Sequence, residues 1–398
     1  MKFKVSLAEF QKALEKTSPA MPKKSTLPIL EHFNFDLKDG RLKIIATDQD
    51  LTIMSYLDVL SEEEGQILVP GKKILEIVRA LDAKKDFEFS STEEFDIHMK
   101  TAFGKYHMKG IDPLEYLYMP ELFESPKPDI EAIKELSAMD QTKTPAAYFN
   151  CDDITRLAEK TSFAVSRDEY RPAMTGVYFQ FYGDKVNAVA TDSFRLSKAV
   201  CHASGDSVFP TDLNVIIPVR AIELLKKADT NVALSFIRTQ MKITHCRFDI
   251  GETVMITRII DEKFPPYESV LPKGNNILVE LPKDDFLSAI RRAAIFANSN
   301  SNQIKMIFEE NQLFITGEDE ESGSNANESI EISYHYEPFQ IGFNHKYLQD
   351  AISNIDDGGD SGNVLMTFSE SNRPSILKPV REDVTNEDLI MLLMPVRI

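Results

Sequence analysis

The stretch FNCDDITRLAEKTSFAVSRD, residues 149–168, follows a plan that the chain repeats. Extended residues and a polar residue lead into an amphipathic helical pattern. The same plan occurs in VSLAEFQKALEKTSPAMPK (5–23) and ELPKDDFLSAIRRAAIFANSN (280–300). About sixty residues after each start comes a second helical pattern: VPGKKILEIVRALDAKK (69–85), IPVRAIELLKKADTN (217–231) and IGFNHKYLQDAISNID (341–356). This period predicts three copies of one structural unit.

The first helical stretch illustrates how each pattern separates an apolar face from a polar one. Phe10, Ala13 and Leu14 form an apolar stripe at helical spacing. Ser6, followed three residues later by Glu9, has the spacing of a capping box, so the Ser6 side chain is predicted to cap the helix. Each helix is therefore expected to pack one face against a core and to expose the other.

Alternating β-type runs lie between and after the helices. Two of them contain matching segments, ATDQDLTI (46–53) and ATDSFRLS (190–197), which supports the repeat. We predict an α+β fold of three repeated domains, each with two helices packed on antiparallel sheets. The predicted divisions are domain 1 (1–125), an acidic, proline-containing linker (126–145), domain 2 (146–273) and domain 3 (274–398).

Composition points to a reducing compartment. Cys151, Cys201 and Cys246 are odd in number and widely spaced, which argues against a disulfide framework. The chain has no run of 18 apolar residues, and its first residues lack the apolar region of a signal peptide. We therefore expect a cytoplasmic protein with no membrane partner.

The positive charge is concentrated in the predicted helices. Six windows that cover them carry a formal charge of +6, whereas the whole chain carries −18, so the remainder carries −24. Lys12 and Lys16 are four residues apart, as are Arg156 and Lys160, and such spacing places each pair on one helical face. Solvated faces of ordinary helices would give the same pattern. Taken together, the faces favour salt-sensitive, sequence-independent contact with duplex phosphates.

The sequence predicts no catalytic residues, no metal and no cofactor. Its seven histidines show no familiar ligand spacing, and no phosphate-binding glycine loop occurs. The adjacent pairs Cys201-His202 and His245-Cys246 are a weak alternative as metal ligands. Scattered carboxylates leave open a metal-dependent phosphoester hydrolase, and a monomeric docking scaffold is a second rival.

Several motifs, in order, resemble the bacterial DNA polymerase III β subunit family, the sliding clamps. The resemblance covers essentially the whole chain and rests on LPILEHFNFDL (27–37), ATDQDLTI, VPGKKILEIVRAL (69–81), TDSFRLS (191–197), FPPYESVLP (264–272), IGFNHKYL (341–348) and the terminal MPVRI. It implies a non-catalytic processivity factor: a ring of two head-to-tail subunits with helices lining a central hole.

A packing estimate agrees with two subunits. Twelve helices about 10 Å apart give a hole of roughly 28 Å, wide enough for a B-form duplex, whereas six leave about 9 Å. The resemblance then implies partners: double-stranded DNA, the DNA polymerase III α subunit, the clamp loader and other proteins that carry a clamp-binding motif. The residues expected to line the hole are Lys12, Lys16, Lys23, Lys24, Lys72, Lys73, Arg79, Arg156, Lys160, Arg167, Arg220, Lys227, Arg291 and Arg292.

The resemblance also assigns two surfaces. At the dimer interface, Ile77, Leu81, Tyr106 and Met108 are expected to meet Ile295 and Phe296 of a second copy, with burial in their own domain as the alternative. A groove for partner peptides is expected from Met174, Thr191, Phe194, Arg195, Leu196, Pro265, Val270, Tyr347, Met394, Pro395, Val396, Arg397 and Ile398. A last core strand is the alternative for the C-terminal run.

Two features depart from the family pattern. Ser193 and Phe194 stand where the family often has glycine and histidine, so the groove is expected to be more apolar and to differ in its motif preference. The predicted linker is also longer than a clamp crossover needs.

Overall fold

A computed structural model describes residues 1–82, 85–102, 104–116, 146–239, 242–355, 362–380 and 388–398. The predicted linker, 126–145, lies outside the described residues. The chain forms two compact units. The first comprises Met1–Cys151, Gly205–Pro210 and Ala228–Ile259, and the second comprises Asp152–Ser204, Thr211–Lys227 and Ile260–Ile398.

Two antiparallel sheets build the first unit. The smaller has, in spatial order, β5 (Leu60–Glu63), β1 (Lys2–Ser6), β7 (Asp86–Ser91), β8 (Asp96–Lys100) and β9 (Lys105–Lys109). The larger has β10 (Ala146–Phe149), β15 (Val232–Thr239), β16 (Lys242–Ile250), β17 (Thr253–Arg258), β4 (Leu51–Asp58), β3 (Arg41–Thr47), β2 (His32–Lys38) and β6 (Gly65–Pro70).

Helices α1 (Leu7–Thr17) and α2 (Gly71–Ala80) belong to this unit and contact each other. Helix α1 buries Phe10, Ala13 and Leu14, so the predicted stripe is confirmed. The predicted capping box is wrong, because the Ser6 side chain makes no capping hydrogen bond. Strand β1 runs straight into the helix, and the Leu7 amide instead donates to the carbonyl of Lys85 at 3.1 Å.

Aromatic rings form the core of the first unit. Phe3 stacks on Phe89 with ring centroids 4.9 Å apart, and both lie on the smaller sheet. Phe10 of α1 packs against Phe87 of the smaller sheet and Phe35 of the larger one, at 4.7 and 5.7 Å. One aromatic cluster therefore joins the helix to both sheets. Burying each of these side chains contributes about 1.5–3 kcal/mol.

The second unit repeats this architecture. Its larger sheet has β14 (Thr211–Pro218), β11 (Gly176–Tyr182), β12 (Lys185–Thr191), β13 (Arg195–His202), β25 (Leu389–Leu393), β24 (Ser375–Pro379), β23 (Asn363–Phe368) and β18 (Ile277–Pro282). Its smaller sheet has β21 (Ser324–Glu331), β20 (Gln312–Asp319), β19 (Gln303–Glu309) and β22 (Phe339–Asn344). Its helices are α3 (Cys151–Ser162, which starts one residue before the unit), α4 (Val219–Leu225), α5 (Lys283–Ala294) and α6 (His345–Ser353).

Both large sheets continue across the boundaries predicted between repeats. Strand β17 of domain 2 pairs with β4 of domain 1, and β13 of domain 2 pairs with β25 of domain 3. The compact units consequently divide domain 2 between them. Adjacent repeats are joined by backbone hydrogen bonds as well as by side chains.

The two matching sequence segments form the same turn. Thr47 accepts a hydrogen bond from the Gln49 amide at 3.1 Å, and Thr191 accepts one from the Ser193 amide at 3.2 Å. Gln49 and Ser193 both have positive φ, 84° and 79°. Asp48 accepts hydrogen bonds from the amides of Asp50 and Leu51. Asp192 accepts them from the amides of Phe194 and Arg195. This atom-by-atom agreement confirms the internal repeat.

In the part of the chain that the structure describes, no helix is long and apolar enough to cross a membrane.

Candidate functional site

The second copy of the repeated turn carries the centre of the predicted groove. Thr191 ends β12 and Arg195 begins β13, so the turn projects Phe194 from the sheet. The Thr191 hydroxyl donates to the Arg195 carbonyl at 2.7 Å, and the Asp192 carboxylate accepts from the Phe194 and Arg195 amides at 2.9 and 3.0 Å. These bonds fix the turn and leave the Phe194 side chain 58% exposed.

Arg195 is enclosed by acids and aromatic rings. Its side chain is only 11% exposed, and its guanidinium contacts the carboxylates of Asp192 at 3.0 Å and Asp350 at 2.6 Å. The same group lies 4.6 Å from the Tyr347 ring centroid and 5.4 Å from that of Phe163. Arginine suits such a position because it combines planar stacking with several directed hydrogen bonds. Arg195 therefore links the turn, through Asp192, to helix α6, through Asp350 and Tyr347.

Tyr347 connects helix α6 to the turn. Its ring stacks on Phe194 with centroids 6.1 Å apart and planes 20° apart. Helix α6 is capped by Asn344, whose side chain accepts from the Lys346 amide at 3.0 Å. Partial burial raises the pKa of the Tyr347 phenol, so it stays neutral. The two stacked rings make a flat apolar wall.

The last five residues leave the larger sheet, and two backbone hydrogen bonds hold them, one to Phe194 and one to Gly342 of β22. Strand β25 ends at Leu393. The Met394 amide then donates to the Phe194 carbonyl at 2.9 Å, and the Val396 amide donates to the Gly342 carbonyl at 2.9 Å. Gly342 admits the tail closely, since a Cβ there would meet Val396 and Ile398. The core-strand alternative therefore fits residues up to Leu393 but not the tail.

A buried apolar cluster lies beneath the exposed groove residues. It contains Val189, Leu196, Ile216, Phe264, Tyr267, Ile376, Ile390 and Leu392. Met174 and Thr191 are also buried, whereas Pro265, Tyr347, Pro395 and Val396 are half-buried. Phe194, Val270, Met394, Arg397 and Ile398 are exposed. The structure thus brings Phe194, Arg195 and Tyr347 together with the backbone of Met394. Ile398 instead lines a polar cleft with Lys305 and Glu318.

Sequence reasoning missed several residues that build this site. Asp350 and Phe163 hold the Arg195 guanidinium, and Arg171 donates to the Ser193 hydroxyl at 3.0 Å. Gly342 gives the tail room. Only Asp192 carried a signal, because the matching Asp48 marks the same turn in the first repeat.

The predicted DNA-facing cations lie on the polar faces of the helices or just after them. Lys12 and Lys16 are on α1, opposite its buried stripe. Both contact one carboxylate, Asp229, at 3.4 and 2.9 Å. Lys16, Arg156 and Lys160 are half-buried, and the others are exposed: Lys12, Lys23, Lys24, Lys72, Lys73, Arg79, Arg167, Arg220, Lys227, Arg291 and Arg292.

Arg79 and Arg292 of this set contact carboxylates. Arg79 contacts Glu15 at 3.6 Å, and Arg292 makes a two-pronged contact with Glu328 at 2.9 and 2.6 Å. The neighbouring guanidinium of Arg292 lowers the pKa of the Glu328 carboxyl.

The predicted interface residues differ in exposure. Ile295 is 78% exposed and Phe296 is exposed as well, which suits contact with a second copy. Ile77, Leu81 and Tyr106 are half-buried. Met108 is only 3% exposed, so its side chain fits the alternative of burial in its own sheet and offers no surface to a partner. Strand β9 alternates, and Met108 points to the packed side.

Over the described ranges, no group of three or more histidine, cysteine, aspartate or glutamate side chains is arranged to hold a metal ion. Cys201 donates to the carbonyl of His202, and the His202 ring lies 2.9 Å from the Asp388 carboxylate. Burial is the main cause that raises the pKa of the Cys201 thiol, to about 12, and it raises the pKa of Cys246 too.

Comparison with known families decides what this arrangement is. The models of the DNA polymerase III beta subunit match in order: the N-terminal domain at residues 1–120, the central domain at 149–266 and the C-terminal domain at 268–397. The chain belongs to the DNA polymerase III beta subunit family. As a member of this family it is a DNA sliding clamp, a processivity factor and not an enzyme.

Relatives in this family are similar over nearly their whole length. The Staphylococcus epidermidis beta sliding clamp is 25% identical over 100% of this chain and 99% of its own. The Caulobacter vibrioides beta sliding clamp is 28% identical over 89% of this chain and 91% of its own.

Solved clamp structures share the fold. A sliding clamp from Bartonella birtlesii, bound to griselimycin, matches with a TM-score of 0.84 and 25% identity over 100% of both chains. A Caulobacter crescentus beta sliding clamp with polyethylene glycol bound matches with a TM-score of 0.84 and 25% identity over 100% of this chain and 99% of that one. The α+β prediction is confirmed.

Proposed function

We propose that two copies of this chain close head to tail around duplex DNA, and that each offers the C-terminal groove to short segments of replication and repair proteins. The observation that carries the proposal is the groove itself: a tail fixed by two backbone hydrogen bonds beside an exposed aromatic wall. An exposed apolar surface of this kind marks a binding site in an otherwise strongly acidic protein.

The proposed DNA-facing set consists of long cations on polar helix faces. Such groups contact phosphate oxygens without reading bases, so binding is independent of sequence and sensitive to salt. A closed ring is held by topological linkage, and its phosphate contacts can therefore be weak enough to permit sliding. The acidic remainder of the surface discourages DNA from binding elsewhere.

The proposed groove partners are the DNA polymerase III α subunit, the clamp loader and other proteins with a clamp-binding motif. The Bartonella clamp that binds griselimycin and the Caulobacter clamp that binds polyethylene glycol support a ligand site in this fold. Burying two partner side chains, at about 1.5–3 kcal/mol each, contributes about 3–6 kcal/mol before the cost of ordering. These two contacts alone therefore give binding no tighter than about 40 μM. Partners that exchange during replication need such weak binding.

The remaining assignments complete the proposal. Ile295 and Phe296 are proposed to meet Ile77, Leu81 and Tyr106 of the second copy. The proposed divisions remain 1–125, 126–145, 146–273 and 274–398. The free thiols of all three cysteines support a cytoplasmic location.

A retention experiment tests the ring. The protein is loaded onto nicked circular plasmid with clamp loader and ATP, and its retention is measured before and after the plasmid is cut once. We expect stable retention on the circle and loss from the ends of the linear form. Equal retention on both forms would show ordinary surface binding and overturn the proposal.

A further inference from the structure

One carboxylate, Asp229, holds two of the lysines proposed to face DNA. Asp229 lies between α4 and β15. Its two oxygens are 3.0 and 2.9 Å from the Lys16 ammonium, and one of them is 3.4 Å from the Lys12 ammonium. Lys12 and Lys16 are one helical turn apart on α1, so both side chains reach the same point.

These three side chains line an open cleft of about 480 Å³. The other charged residues of its lining are Glu9, Asp58 and Glu252, so four carboxylates face two ammonium groups. A phosphate that approaches Lys12 or Lys16 here meets a formal charge of −2 from these six side chains rather than the +2 of the two lysines, and −1 when Arg41, which pairs with Glu252, is counted as well. The hydrogen bond from Lys16 is the main cause that lowers the pKa of the Asp229 carboxyl, so Asp229 stays ionised at neutral pH.

We propose that Asp229 is an electrostatic brake on DNA binding, because a DNA phosphate must displace its carboxylate before it can pair with Lys12 or Lys16. The inference rests on the proposed function, in which α1 faces the duplex. All three groups are partly exposed, so each ion pair is weak and opens readily. A brake of this strength lowers affinity without abolishing contact, which favours rapid movement along the duplex.

The test is the substitution Asp229→Asn, which keeps the shape and removes the charge. Binding of the full-length protein to a short, labelled linear duplex is measured by fluorescence anisotropy over a series of salt concentrations. Freeing both lysines should raise the affinity at low salt by about twofold to twentyfold. It should also steepen the slope of log affinity against log salt by about 0.9 for each additional phosphate that the protein neutralises.

Glu62→Gln is the matched control. It makes the same change in net charge, but Glu62 pairs with Lys2 and Lys4, which lie outside the proposed DNA-facing set. A second comparison introduces Asp229→Asn into a Lys12→Met, Lys16→Met background, where the proposal predicts that it no longer changes affinity or slope. Asp229→Ser repeats the measurement if the asparagine variant melts at a lower temperature.

The outcomes separate the two proposals. A steeper slope for Asp229→Asn alone, lost in the double-lysine background, supports the brake. An unchanged slope for Asp229→Asn, or an equal change of slope for Glu62→Gln, overturns the brake. If the wild type is still retained on circular plasmid, the ring proposal stands. A wild type that is not retained on the circle overturns the ring, and the brake with it.

Discussion

Phe194 provides the sharpest test of the groove. Its ring is 58% exposed and stacks on Tyr347. A phenylalanine of roughly 200 Å² exposed to that extent presents about 115 Å² to solvent. If a bound peptide covers half of this area, burial at about 25 cal/mol per Å² contributes about 1.4 kcal/mol, or about tenfold in affinity.

The variant Phe194→Ala should therefore bind a labelled peptide from the DNA polymerase III α subunit about tenfold more weakly. The change should lower the melting temperature only slightly, because more than half of the side chain is exposed. Isothermal titration calorimetry measures the affinity, and differential scanning calorimetry checks the fold.

Leu60→Ala is the control, since Leu60 is 75% exposed on β5 and lies outside the groove residues. It removes exposed apolar surface without touching the groove, and it should bind the peptide as the wild type does. Equal affinity of Phe194→Ala and the wild type would place Phe194 outside the binding surface and refute the reasoning.

Three further predictions concern the tail, the interface and the thiols. Deleting residues 394–398 should abolish polymerase stimulation in primer extension while sedimentation still shows a dimer; stimulation at the wild-type level would contradict the groove assignment. Replacing Ile295 and Phe296 with alanine should shift the sedimentation profile toward monomer because both side chains are exposed, and an unchanged dimer would remove them from the interface. Cys201 and Cys246 should resist iodoacetamide at pH 8, because burial raises both thiol pKa values, and mass spectrometry should find them alkylated only after unfolding; rapid labelling of the folded protein would contradict this burial.

The helices were the most predictable part of the fold. Their apolar spacing is a local signal, and it located the six helices of the described residues, α1 to α6, although α4 is shorter than its pattern suggested. The repeated turn was also visible in the sequence, because the same Thr-Asp pair occurs in both copies. In each copy the aspartate accepts hydrogen bonds from amides of the turn.

Other features had no local signal. The pairing of β4 with β17 joins residues about two hundred positions apart, and nothing in either strand specifies its partner. The contact of Asp350 with Arg195 depends on how α6 packs beside the turn. The spacing of Ser6 and Glu9 predicted a capping bond that the Ser6 side chain does not make. The bond from the Leu7 amide to the distant carbonyl of Lys85 likewise has no signal in the helix sequence.

The continuity of the two large sheets has a mechanical consequence. Separating β4 from β17, or β13 from β25, would break a ladder of backbone hydrogen bonds along a whole strand. Opening the joint at either strand pair would therefore cost several backbone hydrogen bonds at once. In the proposed dimeric ring, we therefore expect a partner that opens the ring to act at the contacts between chains rather than at these two joints.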